Sequence, residues 1–175
     1  MMSEDLNRTK LDPDEWFQSA ASGFRQSVNG MDRHMGDKGN ELEHRKNGVA
    51  SELAYATMLD KRDKREKRYT PRVFAPDGGW DICTSKGNKV DVKITVYEEG
   101  RLLCDRKEDH RGQEIVPKAD AFALLTFSNG IFTNRGWAWK EDLIDKKNFK
   151  PLTTKKDSKM VYQLNQSQLR QGFPP

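Results

Sequence analysis

With 175 residues, 33% of them charged and 34% hydrophobic, and a net charge of +4, the chain is long enough for one domain with its own core. No run reaches transmembrane length and the first residues hold no apolar leader segment, so no membrane partner is expected and a cytoplasmic location is. The two cysteines, Cys83 and Cys104, form no CxxC and have no histidine at zinc spacing, which excludes a zinc-ligand motif and suits a reducing compartment.

Residues 1–11 are polar and are expected to be frayed. Asp12-Pro13-Asp14-Glu15 opens a helix, with an N-cap, a proline at the first helical position and acids in the first turn. That helix should carry Trp16, Phe17, Ala20, Phe24 and Val28 and end near Gly30; three glycines then mark residues 30–40 as a loop. A longer helix is expected over 41–64. Leu42, Val49, Leu53, Ala56 and Leu59 form its buried stripe, and Gly48 is a point where it could break. Residues 69–79 read as a loop or irregular strand. A β-hairpin follows and runs to Val96, Gly100 marks a turn, and 101–104 reads as a strand. Residues 105–117 are charged and read as a long exposed loop. The unbroken apolar run 121–127 is the signature of a central strand covered on both faces. Beyond the turn at 128–130 come two short strands (131–134 and 136–139), a short helix over 140–147, an edge strand over 161–164 and a helical turn over 166–171. Trp137, Trp139, Phe122 and Phe127 belong to packing rather than to base stacking. The order of elements indicates α/β or α+β, with helices flanking a mixed sheet.

The chemistry concentrates in residues 81–93. Val90, Val92 and Ile94 alternate with Asp91 and Lys93, so the carboxylate and the amine share a strand face. Trp80 and Ile82 alternate with Asp81 and Cys83 in the same way. A hairpin loop of Lys86-Gly87-Asn88 pairs Ser85 with Lys89, brings Asp81 near Lys93 and Cys83 near Asp91, and gathers two acids and a lysine on one face. An even loop would put the acids on opposite faces, so an odd loop or a bulge is required. Aspartate is depleted in strands, and two of them sharing a site repel unless a cation intervenes. On the preceding helix, Glu52 is the lone charged residue within 48–59 and borders the buried stripe.

Asp81 followed by Asp91-Val92-Lys93 resembles the PD-(D/E)XK nuclease superfamily in its Asp-x-Lys variant, with Glu52 matching the acid that many members carry on the helix before the hairpin. Asp81 is preferred over the literal Pro76-Asp77, because Asp77 lies in the turn sequence Asp77-Gly78-Gly79. The likeness covers about residues 48–145 and includes resolvases of branched DNA. It implies an α/β restriction-endonuclease-like core, with residues 1–40 as an N-terminal helix and loop and 41–175 as the nuclease domain. It implies a Mg²⁺ or Mn²⁺ site held by Asp81, Asp91, the Val92 carbonyl and Glu52. It also implies a Lys93 that orients or deprotonates the attacking water and offsets charge in the transition state. With two acids beside it, Lys93 should stay charged, which favours positioning over a free-base role.

Each of these residues has a plainer reading. Glu52 could be a boundary glutamate on a solvated flank. Asp81 and Lys93 could be a cross-strand ion pair on an exposed hairpin face. Residues 60–72 hold seven Lys or Arg against three Asp or Glu. Lys61, Arg62, Lys64, Arg65, Lys67, Arg68 and Arg72 could be a solvated helix end or a DNA-phosphate surface; Arg106 and Lys118 could also approach the backbone. The expected function is a Mg²⁺-dependent DNA endonuclease, acting on branched DNA and as a homodimer. The alternatives are an exonuclease or nickase on the same site, or a nucleic-acid-binding module without catalysis; RNA stays open as the substrate.

Overall fold

A computed structural model describes residues 5–28, 41–66, 69 and 79–175, and it mixes helices with strands. The strands are β1 (Arg8–Thr9), β2 (Ile82–Cys83), β3 (Lys89–Thr95), β4 (Leu102–Asp105), β5 (Lys107–Glu108), β6 (Glu114–Ile115), β7 (Ala121–Ser128), β8 (Ile131–Trp139), β9 (Phe149–Pro151) and β10 (Met160–Leu164). The helices are α1 (Pro13–Val28), α2 (Glu41–Asp63) and the short α3 (Lys140–Leu143).

Asp12 caps α1 as its sequence dictates. Its Oδ1 accepts from Glu15 N at 2.8 Å while Glu15 Oε2 accepts from Asp12 N at 2.9 Å, a reciprocal capping box. Helix α2 runs unbroken through Gly48, where the Ser51 hydroxyl donates to the Gly48 carbonyl at 2.6 Å. It ends at Lys64, whose φ of 52° lets Lys64 N donate to Lys61 O and Arg65 N to Asp60 O at 3.3 and 3.0 Å. That is a Schellman closure. The buried side of α2 is wider than one stripe: Val49, Ala50, Ala54, Tyr55, Ala56, Met58 and Leu59 are all buried. It packs against α1 on one side and β3 on the other, so two neighbours cover it.

The main sheet has the order β1-β8-β7-β3-β2, parallel between β3 and β7 and antiparallel elsewhere. Strand β7 lies in its centre. Ala121, Ala123 and Leu125 face the helices, and Phe122 and Leu124 face a second, antiparallel sheet ordered β4-β10-β9. This is why the run 121–125 is apolar at every position, the buried Thr126 that follows it being satisfied by Arg135 Nε at 2.8 Å.

Several expectations need correction. Arg8–Thr9 is not frayed: it pairs with β8, and Leu11 enters the core. The stretch 105–117 is a small hairpin of β5 and β6, closed by a turn in which Asp109 Oδ1 accepts from Arg111 N and Gln113 N at 2.8 and 2.9 Å. The two short strands at 131–139 are one strand, β8, with a bulge where the register skips Arg135. Strand β10 is the middle of its sheet rather than an edge, since both β4 and β9 pair with it. Residues 1–4, 29–40, 67–68 and 70–78, including the first part of the segment expected to be frayed, the loop expected over 30–40, Lys67, Arg68 and Arg72 of the basic run, and Pro76-Asp77, lie outside the described residues.

Beside the bulge, Gly136 has a φ of 123°, and a Cβ there would stand 2.5 Å from the Arg170 carbonyl oxygen. That carbonyl accepts from Trp137 N at 2.9 Å and ties the C-terminal segment to β8. Gly136→Ala should therefore lower stability by about 2–4 kcal/mol, from backbone strain and overpacking together. Urea unfolding should show a lower midpoint at an unchanged m-value.

Candidate metal centre

The local geometry begins with the hairpin turn. Gly87 N donates to Thr84 O at 3.0 Å, Thr84 N donates to Asn88 O at 2.9 Å, and Gly87 has a φ of 89°. The loop is thus Ser85-Lys86-Gly87: odd, as the acids require, but one residue earlier than Lys86-Gly87-Asn88. A three-residue loop needs a left-handed residue in its third place, and glycine fills it without strain. Ile82 consequently faces Val90, and Cys83 faces Lys89 rather than Asp91. The parity survives the shift, but Asp81 is now aligned with Asp91, not with Lys93.

The brevity of β2 matters next. Past Val90 the β3 edge has no β2 residue beside it, and Asp81 fills the gap. Asp81 N donates to Val90 O at 2.8 Å, and Asp81 Oδ2 accepts from Val92 N at 2.6 Å. Alternation turns the Val92 carbonyl toward the same open edge.

Val90 and Val92 pack under α2, so Asp91 and Lys93 project from the opposite face of β3. Lys93 Nζ stands 2.7 Å from Asp91 Oδ1, with the lysine side chain 40% exposed and the aspartate 19%. The ion pair is therefore within one strand, and the cross-strand Asp81–Lys93 pair is not what forms. Asp81 lies between the layers. Its carboxyl lies within the field of the Asp91 charge, and its own charge acts on Glu52 of α2. The open edge is where the helix layer and the far face of the sheet meet.

The electrostatics show how crowded the acids are. Burial, then the Asp91 charge, pushes the Asp81 carboxyl up to about 7, against the pull of the Val92 N–H and Lys93. Burial, then the charges of Asp81 and Asp91, holds Glu52 well above the ordinary carboxylate range. Burial works downward on Lys93, but Asp91 and Asp81 outweigh it and keep the amine above its usual value. Lys93 is thus the charged form, as expected. Two raised carboxyls beside one ammonium describe a site short of positive charge.

The donor set suits a hard divalent cation: carboxylate oxygens and a backbone carbonyl, with no soft ligand required. Among the described residues, no three His, Cys, Asp or Glu side chains stand together as a ready-made ligand group. Asp91 is instead paired with Lys93, so holding a cation through Asp91 would mean exchanging that partner.

The basic run is only partly placed. Lys61 and Arg62 are half-buried, and Lys64 and Arg65 are exposed. Arg62 is engaged internally: it bonds Asp63 at 2.6 Å and the Pro174 carbonyl at 2.9 Å and lies over the Phe173 ring. Arg65 stacks on Tyr69 at 4.5 Å. Arg106 bridges Glu108 and Glu114 across its own hairpin, at 3.2 and 3.4 Å. Lys118 is exposed and stands against Gly79, two residues before Asp81.

Two neighbours of the site were not legible from pattern. Cys104 of β4 lies near Lys93, where burial pushes its thiol up to about 11 against the pull of the ammonium. A groove beside Lys93 takes in Tyr97 and Arg101. Both come from strands and turns whose face is set by the second sheet, and no spacing in the sequence encodes that. Among the described residues no helix is long and apolar enough to cross a membrane. Comparison with protein-family models, with curated proteins and with solved structures finds no match to this chain.

Proposed function

We propose that the protein is a metal-dependent DNA endonuclease with a restriction-endonuclease-like core. The observation that carries this reading is the placement of Asp81 at the open edge of β3, its Oδ2 accepting from Val92 N at 2.6 Å, beside the Asp91–Lys93 pair at 2.7 Å and within the field of Glu52 on α2. Three acids and a lysine from a helix and a hairpin, more than 40 residues apart in the chain at their extremes, lie within one another's field there, at a cost in desolvation and repulsion, though they do not form a ready-made ligand group. A purely structural salt bridge would need neither Glu52 nor Asp81. The order of helix α2, hairpin β2–β3 and then the parallel neighbour β7 also agrees with that core.

Asp81 and Asp91, with the Val92 carbonyl, would hold Mg²⁺ or Mn²⁺, and Glu52 would support it. The bound ion would polarise the scissile phosphate and lower the pKa of the attacking water. Lys93 acts as a charged group. It positions the water by hydrogen bonding and offsets negative charge that builds on the phosphate oxygens. Exposed Lys64 and Arg65 would meet the DNA backbone, a contact that weakens steeply with salt.

A second reading, a nucleic-acid-binding module without catalysis, is favoured by the closed Asp91–Lys93 pair at 2.7 Å and the lack of a ready-made ligand group among the described residues. Incubation with supercoiled plasmid and with a four-way junction in Mg²⁺, Mn²⁺ or EDTA separates the two. Metal-dependent cutting of closed circles is expected, and it excludes a purely exonucleolytic enzyme. Salt-sensitive binding with no cutting in either metal would replace the endonuclease reading with the binding module.

A further inference from the structure

On the face of β3 that carries Lys93, a groove of about 640 Å³ opens directly beside the candidate centre. Its size is that of a small-molecule or nucleotide pocket, about 300–1,000 Å³. Lys93 forms one wall, so the groove and the centre share a side chain. The remaining lining includes Ile94, Tyr97, Arg101, Leu103 and Leu152, with Glu99 at one side. Apolar walls with two cations do not describe a phosphate cradle. They describe a place for a flat, apolar-faced group that carries a negative charge next to it.

The aromatic group is presented for contact. Tyr97 is 75% exposed and Val96 beside it 61%, which leaves the ring without a packing role. Its backbone is nonetheless fixed. Tyr97 N donates to Thr95 Oγ1 at 3.2 Å and Gly100 N to Tyr97 O at 2.9 Å. The Gln166 amide clamps the carbonyls of Glu98 and Gly100 at 2.6 and 3.0 Å. The turn is packed closely at Gly100, where an added Cβ would stand 2.3 Å from Thr95 Cγ2. An exposed ring on a held turn binds at low ordering cost. Arg101 is fixed as well, by bonds to the Gln163 side chain and to the Leu152 carbonyl, so its charge stays at the groove wall.

We propose that this groove takes an unpaired nucleobase of the substrate strand next to the cleaved phosphate, with Tyr97 stacking on the base and Lys93 and Arg101 facing the adjoining phosphates. Bases in a duplex have their faces covered by their neighbours, and only a base out of the stack can offer one to Tyr97. The substrate class is accordingly DNA that presents single-stranded or unstacked nucleotides. The inference rests on the nuclease reading for the phosphate at Lys93, but not for the groove itself.

The test uses a single-stranded oligonucleotide with a central 2-aminopurine and the blunt duplex of the same sequence, both titrated in EDTA so that no cleavage intervenes. The single strand should bind more tightly than the duplex, with its fluorescence quenched by stacking. Tyr97→Ala should lose the quenching and weaken single-strand binding by about five- to a hundredfold, the usual range for one stacked base. Tyr97→Phe should retain both. Because Tyr97 is exposed, its truncation leaves the core intact, and an unchanged melting temperature checks this. Equal binding of single strand and duplex, or unaltered quenching in Tyr97→Ala, would overturn the groove proposal even if the protein cuts DNA. Tyr97-dependent quenching in a protein that never cuts DNA with metal would uphold the groove and remove the nuclease reading alone.

Discussion

Lys93→Ala and Asp91→Asn should each lower metal-dependent DNA cleavage by about two to four orders of magnitude, the range seen when a positioned charge or proton-handling group is removed from a hydrolytic site. The two losses have different causes. Lys93→Ala removes the ammonium that sits 2.7 Å from Asp91 Oδ1. That leaves charge on the phosphate uncompensated without removing an oxygen ligand. Asp91→Asn removes a ligand charge, so part of its loss should be recovered at higher metal concentration, whereas none should be recovered for Lys93→Ala. Residues that act as a unit are not additive, so the double variant should be little worse than the poorer single one. Initial rates on supercoiled plasmid across a Mg²⁺ titration provide the measurement. A Lys93→Ala protein that is folded by circular dichroism and cuts at the wild-type rate would sink the assigned role.

The second large effect is on stability. Without metal, stability should fall as pH rises from about 4 to about 7, and Asp81→Asn should remove much of that fall. The Asp81 carboxyl is pushed up to about 7 in the folded protein, by burial first and by Asp91 second. In the unfolded chain an aspartate titrates near 4. Between these values the folded state keeps a proton that the unfolded state has lost, so unfolding becomes easier with each rise in pH. The stabilising contribution is complete below about 4 and gone above about 7. Glu52 shifts in the same direction and adds to the slope, while Lys93, raised above an already high value, is untouched in this window.

The full contribution of Asp81 is on the order of 2–4 kcal/mol. At pH 8 this corresponds to a melting temperature about 5–15 °C higher in Asp81→Asn, for a chain of this size. Asparagine still offers an oxygen to the Val92 N–H, so the 2.6 Å hydrogen bond is not the difference. Mg²⁺ should raise the wild-type melting temperature at pH 8 and leave that of Asp81→Asn nearly unchanged, by linkage to the folded state. Thermal melts of both proteins from pH 4 to 8, with Mg²⁺ and with EDTA, decide it. An Asp81→Asn protein that melts below wild type at pH 8 would show that the acids are not under strain.

The helices and the central strand could be read in advance because each is written in a local code. Asp12-Pro13-Asp14-Glu15 carries its own cap, and the run at 121–127 announces a strand covered on both faces. The hairpin was legible in parity but not in register: alternation requires an odd loop, while the pairing depends on which residue takes the left-handed conformation, and Gly87 takes it. Arg8–Thr9 was misread because two residues hold no periodicity, and only the exposed edge of β8 makes them a strand. Strand β10 was misread as an edge because its second neighbour, β9, is three residues long and has no pattern of its own.

The composition of the candidate site is legible in the chain alone. Asp91 and Lys93 had to share a face, by the two-residue period of a strand, and Asp81 had to come near them once the loop was odd. What these groups touch depends on how the elements fold against one another. The tertiary structure paired Lys93 with Asp91 rather than with Asp81, because the turn closed one residue early. It brought Glu52 into their field, because β2 is too short to close the sheet edge and α2 packs across β3. It also put Tyr97 and Arg101 beside Lys93, because the second sheet holds the 95–101 turn in place. Contacts within one strand follow from chain geometry, whereas contacts between layers depend on how separate elements pack, which no short stretch of sequence encodes.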